Sequence, residues 1–200
     1  MSSDEKQPDV FFLPEQELTL ESLQVEGWIL DVGGGGEGVI GQLEGSSVVA
    51  IDRRADELRE ALEASGDEGR CLRIVMDARK LQFLDACFPA ATCFFSLMYM
   101  TAEEHVQVLK EIHRVLKQGG ELFVWDFDFP PRGKHLEPIA AYRLHVHLPE
   151  KSIHTGYGCR WPEQGRDLAY YAGLLKKCGF STSHSICENA ILTLRGCKGA

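Results

Sequence analysis

The sequence lacks a hydrophobic run long enough to span a bilayer, which takes about 20 consecutive apolar residues. Its longest apolar stretch lies around residues 91–100 and is far shorter than that. The first ten residues, MSSDEKQPDV, also lack the basic segment and the apolar core of a secretory signal. We therefore expect a cytoplasmic protein that does not enter the membrane.

Closely spaced cysteines are also missing. The chain has seven cysteines, and no two of them form a Cys-x-x-Cys pair. They are Cys71, Cys87, Cys93, Cys159, Cys178, Cys187 and Cys197. A zinc site made of cysteines alone usually takes its ligands from close pairs, so such a site is not expected. We expect reduced thiols, in agreement with a cytoplasmic location.

Clusters of positive charge are absent too. The formal net charge is −9, and the basic pairs at residues 53–54 and 176–177 are isolated. Because phosphate backbones are bound through positive patches, a nucleic-acid partner is not expected. We expect a small-molecule substrate, no membrane partner, and either a monomer or a homodimer.

The composition that remains is that of one globular domain over residues 1–200, with 44% hydrophobic and 26% charged residues. Short apolar strands alternate with helical segments, one of which begins with a capping-box pattern at Thr101 and Glu104. The first five strands are predicted at residues 28–32, 47–51, 71–76, 92–97 and 121–126. This alternation predicts an α/β fold, in which helices cover both faces of a parallel sheet.

The pattern changes after the fifth strand. Residues 142–148 and 152–158 each alternate between polar and apolar positions, which predicts a β-hairpin. We expect this insertion, within residues 130–165, to shape the substrate side of the protein.

The end of the chain completes the predicted sheet. A helix over residues 164–177 precedes two strands, at residues 181–187 and 191–195, which need a tight antiparallel connection. The expectation is a Rossmann-like, doubly wound sheet of seven strands, mostly parallel with an antiparallel last strand. Short helices are also predicted near residues 18–25 and 83–88.

A glycine-rich turn follows the first strand, where Asp31 precedes Gly33, Gly34 and Gly35. Glycines let the backbone turn sharply and come into contact with a ligand. With Gly38, the spacing also matches the Gly-x-Gly-x-x-Gly pattern of dinucleotide-binding proteins. The turn alone therefore does not identify the ligand.

Acidic residues end the first three strands. Asp52 is placed to accept both ribose hydroxyls of an adenosine-containing ligand, and Asp77 with the backbone of Ala78 is placed to meet the adenine. A pyrophosphate suits a neutral or positive turn, whereas Asp31 suits an ammonium and a nearby sulfonium. The charges therefore favour a cationic adenosine ligand.

Five segments resemble successive motifs of the class I S-adenosylmethionine-dependent methyltransferases. They are ILDVGGGGEGVIGQL, VVAIDRR, IVMDARKLQF, FFSLMYM and EIHRVLKQGGELFVWDF. The resemblance covers about residues 28–127 and is closest to the methyltransferase type 11 group, which includes the ubiquinone and menaquinone biosynthesis methyltransferases. One departure is Glu37, which stands where the family often has a third glycine, so that the glycine moves to Gly38.

This resemblance implies S-adenosylmethionine as the cofactor and in-line transfer of its methyl group to a small-molecule acceptor. It places the methionine part near Asp31, the glycine turn and Ser96, the ribose near Asp52, and the adenine near Asp77. The implied cofactor-binding residues are Asp31, Gly33, Gly34, Gly35, Asp52, Arg53, Asp77, Ala78, Ser96 and Leu97.

Two other functions stay open at this point. An NAD(P)-dependent oxidoreductase is supported by the glycine spacing and Asp52, but the sequence lacks a Tyr-x-x-x-Lys arrangement and a hydride-transfer site. A non-catalytic protein that binds S-adenosylmethionine would share the same motifs.

No catalytic motif is expected for methyl transfer, because alignment and exclusion of water can supply most of the rate. A thiol or phenol acceptor must lose its proton, and the candidate bases are on the predicted hairpin: His145, His147, His154 and Tyr157. The three histidines could instead bind zinc. Outward-facing polar positions explain them better, and no metal site is predicted.

Overall fold

The computed structural model describes residues 9–66 and 71–199. None of the helices in these two segments is long and apolar enough to cross a membrane. The helices are α1 (Val39–Glu44), α2 (Ala55–Ala64), α3 (Ala102–Val115) and α4 (Leu168–Lys177). The strands are β1 (Val10–Phe12), β2 (Gln16–Thr19), β3 (Ile29–Val32), β4 (Val48–Asp52), β5 (Leu72–Val75), β6 (Phe88–Phe94), β7 (Leu116–Phe127), β8 (Ile139–His147), β9 (Ser152–Arg160), β10 (Phe180–Glu188) and β11 (Ile191–Lys198).

Seven of these strands form the main sheet, in the order β10-β11-β7-β6-β3-β4-β5. β3 lies between β4 and β6 and pairs in parallel with both. β4 in turn pairs in parallel with β5, and β6 pairs in parallel with β7. β11 runs antiparallel to both β7 and β10. The predicted seven-stranded, mostly parallel sheet with an antiparallel last strand is therefore confirmed.

Both faces of the main sheet are covered, as continuous apolar strands require. Along β3 and β4 the buried side chains alternate between two core clusters, so that Ile29 lies in one cluster and Leu30 in the other. Helices α1 and α2 contribute Ile40 and Leu58 to the first cluster, whereas α3 and α4 contribute Ile112 and Leu175 to the second.

A smaller sheet packs against the first cluster. Its central strand, β8, pairs antiparallel with β9, which confirms the predicted hairpin. On the other edge, β8 pairs in parallel with β1 and then with β2. Alternate residues of β8, including Tyr142, Leu144 and Val146, are buried in the core, so the residues between them face outward.

Two predicted short helices were wrong. The segment expected to be helical near residues 18–25 begins within strand β2, because Leu18 and its neighbours pair with β8. Residues 83–88 form a turn that leads into β6. Instead of forming a helix, this segment packs against α3. Arg114 of α3 donates hydrogen bonds to the carbonyl oxygens of Leu81 and Phe83.

The N-terminus of α3 has the predicted capping box. The Thr101 hydroxyl accepts from the backbone N–H of Glu104 at 3.3 Å, and the Glu104 carboxylate accepts from the backbone N–H of Thr101 at 2.9 Å. These bonds fix the first turn of α3.

The first turn of α3 also holds a buried histidine, His105, which is fully shielded from solvent. Its Nε2 lies 2.7 Å from the carbonyl oxygen of Leu97, and its Nδ1 lies 2.8 Å from the Tyr170 hydroxyl. A carbonyl oxygen only accepts, so Nε2 carries the proton and Nδ1 accepts from Tyr170. Burial lowers the pKa of His105 to about 4.

We expect Thr101→Ala to lower the free energy of unfolding by about 1 kcal/mol, because the orphan N–H of Glu104 loses its acceptor. Chemical denaturation measures the difference. Thr101→Ser keeps the hydroxyl and should match the wild type. Equal destabilisation by both substitutions would show that the capping bond is not what stabilises the helix start.

His105 should make folding sensitive to acid. Its pKa in the folded state is below the unfolded value of 6.5, so its stabilising effect is complete above pH 6.5 and is lost as the pH falls towards 4. Between pH 7 and pH 5 the free energy of unfolding of the wild type should fall by about 2 kcal/mol through this titration. A His105→Gln variant should not show this decrease. Denaturation of both proteins at the two pH values measures this, and equal losses would contradict it.

Candidate cofactor-binding site

A cavity of about 470 Å³ opens at the carboxyl ends of β3, β4, β5 and β6. Ligands of open α/β sheets bind at this edge, where loops diverge from the strand ends. Nine of the ten predicted cofactor-binding residues line the cavity. They are Asp31, Gly33, Gly34, Gly35, Asp52, Arg53, Asp77, Ala78 and Ser96.

The glycine turn forms the floor of the cavity and has no room for side chains. Gly33 adopts a φ of 78°, and a Cβ atom there would collide with the Cβ of Ser96. A Cβ atom at Gly35 would lie 2.5 Å from the Cβ of Glu57. The bare backbone therefore forms a cradle that a ligand can approach closely.

Asp31 lies beneath this turn and is almost completely buried. Its Oδ1 accepts a hydrogen bond of 2.7 Å from the Thr92 hydroxyl. Burial raises the pKa of Asp31 to about 7, and the nearby charge of Asp52 adds to the rise. A cation in the cavity would favour the ionised carboxylate, since opposite charges lower the pKa of an acid.

Asp52 ends β4 at the cavity wall. Its Oδ1 accepts from the backbone N–H of Arg54 at 2.8 Å, which fixes the carboxylate. Its Oδ2 is on the side of Gly35, 3.2 Å from where a Cβ at that glycine would be. The carboxylate is thus oriented along the glycine turn.

Asp77 is engaged with another side chain. Arg79 donates from Nε and from a terminal nitrogen to the Asp77 carboxylate, at 3.0 and 2.6 Å, and also binds Glu104 at 3.0 Å. The hydrogen bonds of Arg79 hold the pKa of Asp77 below its usual range. An adenine amine would have to share or displace this ion pair to contact Asp77.

The end of β6 places one predicted residue in the cavity and one outside it. The buried Oγ of Ser96 has no hydrogen-bond partner within the described residues. Leu97 does not line the cavity, because its side chain packs in the second core cluster with residues of α3. The contact predicted for Leu97 is therefore not supported.

The predicted catalytic residues are on opposite faces of the small sheet. Tyr157 faces inward and lines the cavity. His145, His147 and His154 lie on the outward face and are absent from the cavity wall. Their role as general bases stays a prediction, and the geometry does not favour it, because the small sheet itself lies between their rings and the cavity.

Phe95 is a cavity residue that sequence reasoning missed. It has a φ of 47°, an unfavourable value for a bulky residue, and its ring stacks on Tyr157 with centroids 5.1 Å apart. Strained backbone of this kind clusters at ligand sites. No pattern in the sequence marks the conformation.

The cavity wall is strongly acidic. Among the residues that the structure describes, seven carboxyl groups line it: Asp31, Glu37, Asp52, Glu57, Glu60, Asp77 and Glu104. Three guanidinium groups, of Arg53, Arg54 and Arg79, oppose them. Glu57 and Glu60, which sequence reasoning did not include, reach the site from α2. This balance fits a ligand with an ammonium and a sulfonium better than one with a pyrophosphate.

Two relatives are similar in sequence over part of the chain. A ubiquinone/menaquinone biosynthesis C-methyltransferase, UbiE, from Chromobacterium violaceum is 39% identical over 102 residues, which are 50% of this chain and 37% of the relative. The sterol 4-C-methyltransferase strm-1 from Caenorhabditis elegans is 33% identical over 81 residues, which are 40% of this chain and 24% of the relative. The chain thus matches well under half of either relative's length.

The fold is that of solved methyltransferases. An S-adenosylmethionine-dependent methyltransferase from Methanosarcina mazei superposes with a TM-score of 0.64 at 23% identity, covering 88% of this chain and 94% of the other. The family model described as "Methyltransferase domain" matches residues 30–124, which contain the glycine turn and strands β4 to β6. These matches and the shared fold support a class I S-adenosylmethionine-dependent methyltransferase, with S-adenosylmethionine as the expected cofactor.

Proposed function

We propose that this chain transfers a methyl group from S-adenosylmethionine to a small-molecule acceptor. The observation that carries the proposal is the acidic cavity over a side-chain-free glycine turn at the carboxyl edge of the sheet. Its shape and charge fit a cationic adenosine ligand, and the Ser96 hydroxyl, which has no hydrogen-bond partner in residues 9–66 and 71–199, offers a further polar contact.

In the proposed binding mode, each part of the cofactor is bound at the end of a different strand. Asp31 and the turn at Gly33–Gly35 hold the methionine part, with the ammonium paired to the buried carboxylate. Asp52 accepts the ribose hydroxyls, with Arg53 beside it. Asp77 and Ala78 meet the adenine, after Arg79 yields part of its ion pair.

The cofactor supplies an electrophilic methyl group on a cationic sulfur, and the leaving thioether needs no proton. The chain's contribution is to align the acceptor and to exclude water. Phe95, Tyr99, Met100 and Tyr157 give the cavity an apolar wall for this purpose. Such a wall suits a small acceptor with an apolar or aromatic part.

Tyr157 is better suited to donate a hydrogen bond than to act as a base. Burial raises the pKa of its phenol well above the ordinary value of 10. The neutral phenol therefore persists at physiological pH, where it can orient an acceptor oxygen or nitrogen. An acceptor that must lose a proton would need another base, so acceptors that are already nucleophilic at neutral pH fit this cavity best.

Transfer of tritiated methyl groups from S-adenosylmethionine to small molecules in a cell extract tests the function. We expect label in the small-molecule fraction, reduced at least about tenfold by Asp52→Ala, because a hydrogen bond to a charged group contributes about 1.5–3 kcal/mol. Asp9→Ala, which changes an exposed aspartate near the N-terminus, is the matched control.

The other outcomes separate the competing functions. Label in protein or nucleic acid would contradict a small-molecule acceptor. Binding of the cofactor without transfer to any fraction would instead support a non-catalytic binding protein. An Asp52→Ala variant as active as Asp9→Ala would remove Asp52 from the site.

Cofactor affinity should rise with pH through the titration of Asp31. Its pKa of about 7 means that the carboxyl is mostly protonated at pH 6 and mostly ionised at pH 7.5. Since an ammonium binds the ionised form, S-adenosylhomocysteine should bind roughly eightfold more tightly at pH 7.5 than at pH 6. Calorimetry at the two pH values measures this. Asp31→Asn should bind weakly and with little pH dependence, and an equally steep dependence in that variant would contradict the assignment.

A further inference from the structure

Three metal-ligating side chains come together on the outward face of the small sheet, away from the cavity. Glu17 is on β2, and His145 and His147 are on the neighbouring strand β8. The register pairs Glu17 directly with His145, and His147 lies two residues further along the same face. One ligand atom from each of the three residues lies within 4.8 Å of the others.

The Glu17 carboxylate lies between the two imidazoles. Its Oε2 is 2.9 Å from Nε2 of His147, and its Oε1 is 3.9 Å from Nδ1 of His145. Zinc bonds to imidazole nitrogen and carboxylate oxygen are about 2.0–2.2 Å long, so two ligand atoms of a tetrahedral ion are about 3.3 Å apart. The two observed distances from the Glu17 oxygens to the imidazole nitrogens, 2.9 and 3.9 Å, lie below and above that value. Glu17 is largely exposed and free to adjust.

The surroundings of the two histidines also fit a metal. Nδ1 of His145 faces Glu17 but is too far from it for a hydrogen bond, so this nitrogen is available to an ion that also binds Glu17. Ser152 Oγ is 3.2 Å from Nδ1 of His147, which is the kind of contact that orients a ligand imidazole and leaves Nε2 for the ion.

We propose that Glu17, His145 and His147 form a binding site for a zinc ion, Zn²⁺. Two imidazoles and one carboxylate are a ligand set that zinc prefers, and the fourth position is open to water. The ion would tie β2, near the start of the chain, to β8, and clips that close long loops are favourable for stability. The site is separate from the methyl-transfer cavity, whose wall includes none of its three ligands.

His154 lies next to the proposed site on the same face of the small sheet but is not one of its ligands. Its ring stacks on His145 with centroids 3.9 Å apart and an interplanar angle of 14°. Stacked rings direct their nitrogens side by side in parallel planes rather than towards a common ion. We therefore assign His154 to covering the His145 ring.

Calorimetric titration of the metal-free, reduced full chain with ZnCl₂ tests the site, with native mass spectrometry for stoichiometry. We expect one tightly bound Zn²⁺ and a rise in the thermal midpoint, because an ion that binds the folded state stabilises it. Glu17→Gln, His145→Gln and His147→Gln should each weaken binding at least about tenfold. His184→Gln, at an exposed position of β10, should bind as the wild type does.

The free cysteines are the main competing ligands, and cobalt distinguishes them. Co²⁺ in the proposed site should give visible ligand-field bands without the thiolate charge-transfer absorption of a cysteine site. Circular dichroism of each metal-free variant checks that it folds. Zinc binding that is equally tight in a His145→Gln/His147→Gln double variant, or a thiolate absorption in the cobalt form, would overturn the proposal.

Discussion

The turn between β3 and α1 is packed so closely that only backbone fits, and the rest of the site depends on this constraint. Asp31 lies below the turn, where its Oδ2 occupies the space that a Gly34 side chain would need, and Glu57 closes the other side. The buried carboxylate is costly without a counter-charge, which is why burial raises its pKa to about 7. In the proposed binding mode a cationic ligand would relieve that cost, so the carboxylate that packs against the turn would also favour a cationic cofactor.

Much of the architecture follows from patterns in the sequence. Parallel strands buried on both faces appear as short apolar runs, and acidic residues such as Asp52 and Asp77 mark where those strands end. The carboxyl ends of neighbouring parallel strands share one edge, so the residues that follow them meet there. For this reason the main sheet could be predicted from the sequence, and nine of the ten residues predicted to bind the cofactor line one cavity.

The contacts that the sequence did not reveal are set by pairings between distant segments. Glu17 joins His145 only because β2 adds to the edge of β8, 128 positions along the chain, and β2 carries no strong periodicity of its own. Arg79 is held beside the cavity by Glu104, 25 positions along the chain, as well as by its local ion pair with Asp77, and no sequence pattern marks the left-handed conformation of Phe95. The side chain of Leu97 packs in the core because the chain turns inward directly after Ser96.

The identity of the adenosine ligand is the central claim, and calorimetric titration of the purified protein with S-adenosylhomocysteine, NADH and NADPH tests it most directly. The acidic cavity and buried Asp31 predict binding of S-adenosylhomocysteine and no binding of either nicotinamide cofactor. Binding of NADH or NADPH in its place would contradict the account, since a pyrophosphate would then occupy a cavity lined by seven carboxyl groups.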